Sequence, residues 1–329
     1  MQQLSTNGFL TPEERKELMQ MQDWKSALAI TIHWSWIVFA LLLPYFLFHP
    51  ITVILSLLIL GGKQLACAIL LHDASHYAVF SHKKVNDFVG RWLGAYPIVQ
   101  DMLRYRPYHR THHIHTGLDE DPDLLLARGY PTSNKSMARK FFRDLSGQTG
   151  TKALIGLMMM HLGYLEYNLG NNTVRVSQKN RSWTAFLKTF YQNLSGPIVF
   201  NILLWGILFV FASGWCYLLW VVAYLTTFQF CIRVRSMAEH SMVIDSKDPY
   251  ENTRTTYANF IEKMLFAPYH VNYHVEHHLL MGVPSYNLPK MHQLIKQRGF
   301  FDKGLLEKNY WQIIRLATAK SKQEPNEGA

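Results

Sequence analysis

HRTHH, at residues 109–113, places three imidazoles within five residues, and the rest of the chain is best interpreted outward from it. Two similar stretches accompany it: HDASH at residues 72–76 and HVEHH at residues 274–278. On a helix, residues three and four apart share a face, because four residues return to within about 40° of the start. Each stretch, called a histidine box below, therefore directs two or three imidazoles toward one point.

The histidine content of the boxes predicts a metal site. Imidazole is the commonest protein ligand for transition metals and suits iron, zinc and copper. The boxes contain eight histidines, more than one ion can hold, so we expect two metal ions. Neighbours such as His112 and His113 diverge by about 100° on a helix and suit different ions. All-nitrogen ligation beside a bilayer favours iron and oxygen chemistry, although ligand type alone leaves zinc and copper open.

Four apolar runs predict an all-α membrane protein. They cover residues 27–48, 51–71, 194–212 and 215–232. The first two are each long enough to cross a hydrocarbon core of about 30 Å. The connections within each pair have two residues, so we expect two hairpins of transmembrane helices. Lys63 is the only lysine or arginine in the four runs, which contain no aspartate or glutamate.

The distribution of charge predicts the orientation. Two hairpins place both termini and all three boxes on one side of the membrane. That side holds essentially all the lysine and arginine, so the positive-inside rule assigns it to the cytoplasm. We therefore expect one domain over residues 1–329, with a cytoplasmic helical cap from residues 72–193 and 233–329. Residues 92–103 and 152–167 are expected to be interfacial or re-entrant helices rather than spans.

The ends of the spans lead into the boxes. We expect a helix of about 30 residues from Ile51 to Phe80, which would reach roughly 45 Å. The fourth run continues to His240, which should approach the same site as a ninth imidazole. An N-terminal helix, opened by a capping box at Thr11 and continuing through Lys25, is expected on the membrane surface. His33 is interpreted as a membrane-interface residue.

Carboxylates near the boxes are candidates to orient the imidazoles. Ligating histidines usually donate their other ring N–H to a carboxylate or carbonyl, which fixes the tautomer. Asp73, Glu239 and Glu276 suit this role, and His270 is a further candidate because it precedes His274 by four residues. The turn at Asp121 is expected to end the second box's segment and to pair with arginine or lysine.

Charge and cysteine usage exclude other classes of protein. The formal net charge is +10, but no nucleic-acid-binding motif accompanies it, so we interpret the excess as a cytoplasmic membrane face. The three cysteines lie in or beside apolar runs without a CxxC pair and predict buried thiols. The sequence also lacks HExxH, so a zinc protease has no support.

These motifs resemble the three histidine boxes of the integral-membrane fatty acid desaturase superfamily. The similarity covers roughly residues 27–295 and includes the apolar hairpins and the pair Asn272-Tyr273 before the third box. It implies a four-span membrane stalk under a cytoplasmic cap that holds two non-haem iron ions. Nine iron ligands are implied: His72, His76, His109, His112, His113, His240, His274, His277 and His278. Ser236 departs from the pattern, because some acyl-CoA desaturases have Asn there.

The resemblance also implies the reaction and its partners. We expect O2-dependent desaturation of the hydrocarbon chain of a fatty acyl or related lipid. Neither a fused cytochrome b5 signature nor a ferredoxin cysteine set is present, so we expect an external donor: ferredoxin, rubredoxin or a cytochrome b5-like protein. One alternative is a hydroxylase, ketolase or decarboxylase of a lipid or terpenoid. Another is a membrane metal carrier or sensor, although carriers usually place polar ligands within their spans.

Overall fold

The computed structural model describes residues 8–170, 173–244, 246–248 and 250–319, and most of these residues are helical. The helices are α1 (Pro12–Leu18), α2 (Asp23–Phe46), α3 (Pro50–Ser75), α4 (Lys83–Val89), α5 (Met102–His115), α6 (Leu124–Ala127), α7 (Asn134–Leu145), α8 (Gln148–His161), α9 (Trp183–Phe211), α10 (Cys216–Leu225), α11 (Thr227–His240), α12 (Phe260–Leu265), α13 (His274–Leu279), α14 (Leu288–Gln297) and α15 (Tyr310–Thr318). Two short strands, β1 (Arg254–Thr256) and β2 (Leu305–Glu307), pair in parallel.

Four long apolar helices dominate the described part of the chain. They are Asp23–Phe46, Pro50–Ser75, Trp183–Phe211 and the continuous pair Cys216–His240, and each is long and apolar enough to cross a membrane. Each overlaps one of the runs predicted from the sequence. Large apolar side chains cover their outer faces; Phe211, for example, is 82% exposed. Exposure of this kind is expected of surfaces that contact lipid.

Helix α3 is the central helix, because α2, α10, α11 and α12 all pack against it. Two adjacent glycines allow the close approach. A Cβ atom at Gly61 would lie 2.4 Å from the Thr227 hydroxyl oxygen, and one at Gly62 would lie 2.3 Å from the Met264 carbonyl oxygen. Small residues at such crossings let helix backbones meet in membranes. The second half of α3 is consequently buried, and its last turn carries His72 into the interior.

Two predicted helix ends are wrong. Helix α3 ends at Ser75 instead of continuing to Phe80, because Tyr77 has a φ of 59°, which a right-handed helix cannot contain. Helix α1 begins at the predicted capping box but ends at Leu18 rather than Lys25. Leu18 is buried against residues of α14, so part of this helix's apolar surface faces protein.

The two shorter apolar stretches do not form spans. Residues 90–98 form a π-helical turn followed by a 3₁₀ turn. The second stretch contributes to α8, whose 14 residues reach only about 21 Å. An additional span here would have moved the third box to the opposite side of the membrane, and neither stretch forms one.

A buried ion pair fixes α11, the helix that ends at His240. Arg233 on α11 donates hydrogen bonds to both carboxylate oxygens of Asp144 at the end of α7, and Asp144 is completely buried. Breaking such a pair leaves a buried charge without compensation. The pair therefore holds α7 against the segment that presents His240.

Candidate metal centre

Four helices bring the nine predicted imidazoles together. The first box lies at the end of α3, the second on α5, and the third on α13, while His240 is the last residue of α11. Asp101 starts α5 by accepting a hydrogen bond from the Leu103 backbone N–H at 2.9 Å. All nine rings are buried or half-buried. Segments more than 200 residues apart in sequence thus meet at one place.

The imidazoles form two adjacent groups. The first group consists of His72, His76, His109, His113 and His277. The second group consists of His112, His240, His274 and His278, in two overlapping clusters that share His240, and Glu239 lies with His240 and His274. Within each of these clusters the potential ligand atoms lie within 4.8 Å of one another. Each histidine doublet is divided between the groups, as the 100° divergence of neighbouring helical residues predicts.

The distances between ring nitrogens match the edges of a metal coordination shell. His113 Nε2 lies 3.0 Å from His109 Nε2 and 3.1 Å from His277 Nε2. In the second group, His274 Nε2 lies 2.8 Å from His240 Nε2. Ligands at right angles, each about 2.1 Å from an ion, are about 3.0 Å apart. An ion between the rings therefore accounts for contacts that neutral imidazoles satisfy poorly.

Unpartnered nitrogens at the centre give independent support for a metal. His72 Nε2 and His76 Nε2 are buried and have no hydrogen-bond partner in the part of the chain that the structure describes. Leaving a buried polar atom unsatisfied costs about 1–3 kcal/mol. Because the other nitrogen of His72 is already bonded to Asp73, its Nε2 is free to coordinate a metal ion in the first group.

The electrostatics of the groups favour neutral rings, which are the metal-binding form. Burial, followed by the charges of neighbouring histidines, lowers the pKa well below its usual value at His109, His113, His274, His277 and His278. His112 differs. Burial alone would lower its pKa, but the hydrogen bond to Asp121 and the charges of Asp123 and Asp121 outweigh burial and raise it.

The carboxylate beside His112 corrects the prediction for the turn at residue 121. Asp121 Oδ1 accepts a hydrogen bond from His112 Nδ1 at 2.7 Å, so this side chain pairs with a box histidine and not with arginine or lysine. Asp121 also accepts hydrogen bonds from the backbone N–H groups of Gly117 and Asp123. The turn therefore folds back onto α5. The closeness of the acidic run to the second box indicated that one of its carboxylates could bond to a box histidine. Which of the three consecutive acidic residues does so depends on the geometry of the turn.

The other predicted orienting residues differ in their placement. Asp73 accepts a hydrogen bond from His72 Nδ1 at 2.8 Å, as its predicted role requires. Glu239 lies 3.7 Å from His274 Nδ1 and is itself bound by Arg235 at 2.7 Å. His240 has a partner that the sequence did not indicate: its Nδ1 lies 3.3 Å from the carbonyl oxygen of Asn252.

Glu276 does not contact a box histidine. Its carboxylate is completely buried and accepts hydrogen bonds from Thr255 at 2.6 Å and from His292 Nδ1 at 2.5 Å. The reason is helical geometry, because residues 276 and 278 point about 200° apart on α13. Glu276 thus fixes the outer face of α13 while the box occupies the inner face.

His270 is also displaced from its expected position. The argument that it lies one turn before His274 assumed a continuous helix. Instead, Tyr269 and His270 both have positive φ angles, of 51° and 58°, and α13 begins only at His274. Among the described residues, the His270 ring pairs with Tyr273, and its Nδ1 is buried without a hydrogen-bond partner.

A cavity of about 370 Å³ extends to Asp73, the residue that follows His72 of the first group. Asp73, the partner of His72, forms part of its wall. Most of the remaining wall comes from α2, α3 and the segment around residues 260–270 and is largely apolar, with Ile30, Ala66 and Leu70 among the lining residues. A cavity of this size and character is typical of sites for apolar ligands.

Comparisons with known proteins agree with this geometry. The family model described as fatty acid desaturase matches residues 48–310, which include all nine imidazoles. The chain is 29% identical over 247 residues to dihydrorhizobitoxine desaturase from Bradyrhizobium elkanii, covering 74% of this chain and 67% of the relative. It is 24% identical over 319 residues to the sn-1 oleoyl-lipid 12-desaturase of a Synechocystis strain, covering 92% and 84%. The corresponding Picosynechococcus protein is 21% identical over 294 residues, covering 84% and 76%.

Proposed function

The chain belongs to the fatty acid desaturase family, and from that premise we propose that it is a membrane-bound di-iron enzyme. It would remove hydrogen from adjacent carbons of a fatty acyl or related lipid chain, using O2 and electrons from a separate redox protein. The names of its relatives state different substrates, so the substrate must be inferred from this chain's own residues.

The observation that carries the proposal is the pair of histidine groups beside an apolar cavity. Nine imidazoles in two groups suit two ions, and ligation by nitrogen alone suits iron. A metal carrier would be expected to place its polar ligands within the apolar spans. Here the ligands lie at the ends of α3 and α11, next to a space for an apolar ligand.

Each part of the site has a defined task in this reaction. The iron pair, when bound, supplies the activation of O2 needed to attack an unactivated C–H bond. Asp73 and Asp121 accept hydrogen bonds from Nδ1 of His72 and His112, which would leave Nε2 of each ring to hold a metal ion. The apolar cavity wall excludes water and positions the hydrocarbon chain beside the first group.

The cytoplasmic orientation, the single domain and the external donor belong to the same proposal. The histidine groups lie at the ends of α3 and α11, and α14 packs against both α13 and α1. We expect most of the lysine and arginine on this side of the membrane. A basic face of this kind attracts an acidic electron carrier, and it increases the association rate most at low ionic strength. Reduction by a ferredoxin, rubredoxin or cytochrome b5-like protein should therefore slow as salt increases.

Expression of the chain in a host that lacks related enzymes tests the reaction. Mass spectrometry of the host lipids should show a product lighter by two hydrogens that depends on the gene. A product that gains oxygen would instead indicate a hydroxylase or ketolase, and loss of carbon would indicate a decarboxylase. Purified, iron-loaded protein that consumes no O2 with any reductant would contradict the enzymatic function.

A further inference from the structure

Lys63 is an unusual residue in the interior of this protein. It lies in the middle of α3, within the second predicted apolar run, and the residue is only 8% exposed. Within the described residues, its ammonium group has no ion pair and no hydrogen bond. A buried charge without a partner is costly, and an ionisable residue in an apolar span usually marks a functional site.

The Lys63 side chain lines the same cavity that reaches Asp73. A second lysine, Lys263, lines the cavity from an exposed position. Because α3 is a continuous helix, the ten residues from Lys63 to Asp73 correspond to about 15 Å along its axis. A molecule that fills the cavity can therefore contact the ammonium group at one end and lie beside the first histidine group at the other.

The neighbours of Lys63 leave its charge uncompensated. His33, interpreted from the sequence as a membrane-interface residue, is in fact buried between α2 and α3. Its Nε2 donates a hydrogen bond to the Lys63 carbonyl oxygen at 2.9 Å, so its Nδ1 is the acceptor for the Tyr269 hydroxyl at 2.8 Å. The side chains of His33 and Tyr269 thus bond to each other, and neither brings a negative charge to the ammonium group of Lys63.

We propose that the cavity binds an amphiphile with a carboxylate group, and that Lys63 holds this carboxylate while the hydrocarbon chain runs along α3 toward Asp73. The inference rests on the proposed function and adds the substrate class. A carboxylate anion compensates the charge of the buried ammonium group, whereas an uncharged ester or alcohol does not. A phospholipid is disfavoured because its second acyl chain and its head group would add greatly to the volume of one hydrocarbon chain, whereas this cavity measures about 370 Å³.

Ligand binding to the full-length protein tests this assignment without requiring turnover. Scintillation proximity with tritiated palmitic acid and tritiated hexadecan-1-ol compares two ligands that share a chain and differ in charge. We expect the wild type to bind the acid at least tenfold more tightly than the alcohol. Lys63→Met should remove this preference and leave alcohol binding unchanged, whereas Lys263→Met, the matched control at the exposed position, should keep it.

Several outcomes would overturn the inference. The wild type could bind acid and alcohol equally, Lys63→Met could keep the preference for the acid, or Lys263→Met could lose it instead. If Lys63→Met lost the binding of both ligands together, Lys63 would be assigned to packing. The result is separable from the proposed function. A chain that desaturates lipids but shows no acid preference retains the function and loses the carboxylate site.

Discussion

The two histidine groups differ in what holds them in place. The first group is built on the buried end of α3 and the facing surfaces of α5 and α13, and its carboxylate partner, Asp73, is adjacent in sequence to His72. The second group depends on partners from irregular segments: Asp121 in a turn and the carbonyl oxygen of Asn252 in a loop. The comparison teaches that helix packing alone can order the first group, whereas the second also needs correctly folded loops.

The largest expected effects come from two neighbouring residues that serve different groups. His277→Ala removes a potential ligand from the first group, and His278→Ala removes one from the second. Each should lower product formation by more than about 100-fold, beyond the effect usual for an orienting partner. Gas chromatography of the products and metal analysis of the purified variants would measure both losses.

The exposed His82 provides the control for these variants, because it lies outside both groups. His82→Ala should keep wild-type iron content and activity. Full activity in either His277→Ala or His278→Ala would contradict the assignment of that residue as a ligand.

A smaller effect is expected when only the orientation of a ligand is disturbed. Asp121→Asn keeps the shape of the side chain but weakens its hold on His112. Loss of such a partner typically costs about 10–100-fold in metal affinity or activity. Iron titration of the purified protein should show one weakened site, in the second group, and one site with unchanged affinity.

Asp119→Asn is the matched control, since Asp119 lies in the same acidic run but its side chain is 92% exposed. It should bind iron like the wild type. If both variants lost iron equally, the effect would reflect the charge of the loop and not the hydrogen bond to His112.

The smallest expected effect on the metal comes from Glu276, although the third box surrounds it in sequence. Glu276→Gln alters the buried hydrogen bonds with Thr255 and His292 and should cost about 1–3 kcal/mol of stability. Thermal unfolding should therefore occur at a lower temperature, while the folded fraction keeps its iron. Loss of iron at unchanged thermal stability would place Glu276 at the metal after all.

The features that the sequence predicted correctly are those that follow from run length and from the regular periodicity of the α-helix. The four apolar helices follow from run length, and the division of the histidine doublets follows from the helical angle. Family membership, inferred from the box spacing, is confirmed by the family match. The hairpin arrangement, the cytoplasmic orientation and the roles of the individual ligands remain predictions.

The errors concern places where the chain leaves regular geometry. Tyr77 has a positive φ angle, and α3 ends before it. His270 also has a positive φ angle, so it is not part of the helix that carries His274 and lies away from its expected position. Asp121 could not be distinguished from its acidic neighbours, because its contact with His112 depends on the turn. The burial of the His33 ring was not predicted, because it depends on the tertiary packing of α2 on α3, which no local pattern reports.

Metal analysis of the wild-type protein is the most direct test of the central claim that two histidine groups hold two iron ions. The full chain would be purified in detergent, reconstituted anaerobically with ferrous iron, and examined by elemental analysis and iron X-ray absorption. The account predicts two iron ions per chain in shells dominated by nitrogen ligands. A single ion per chain, or no tightly bound iron after reconstitution, would contradict it.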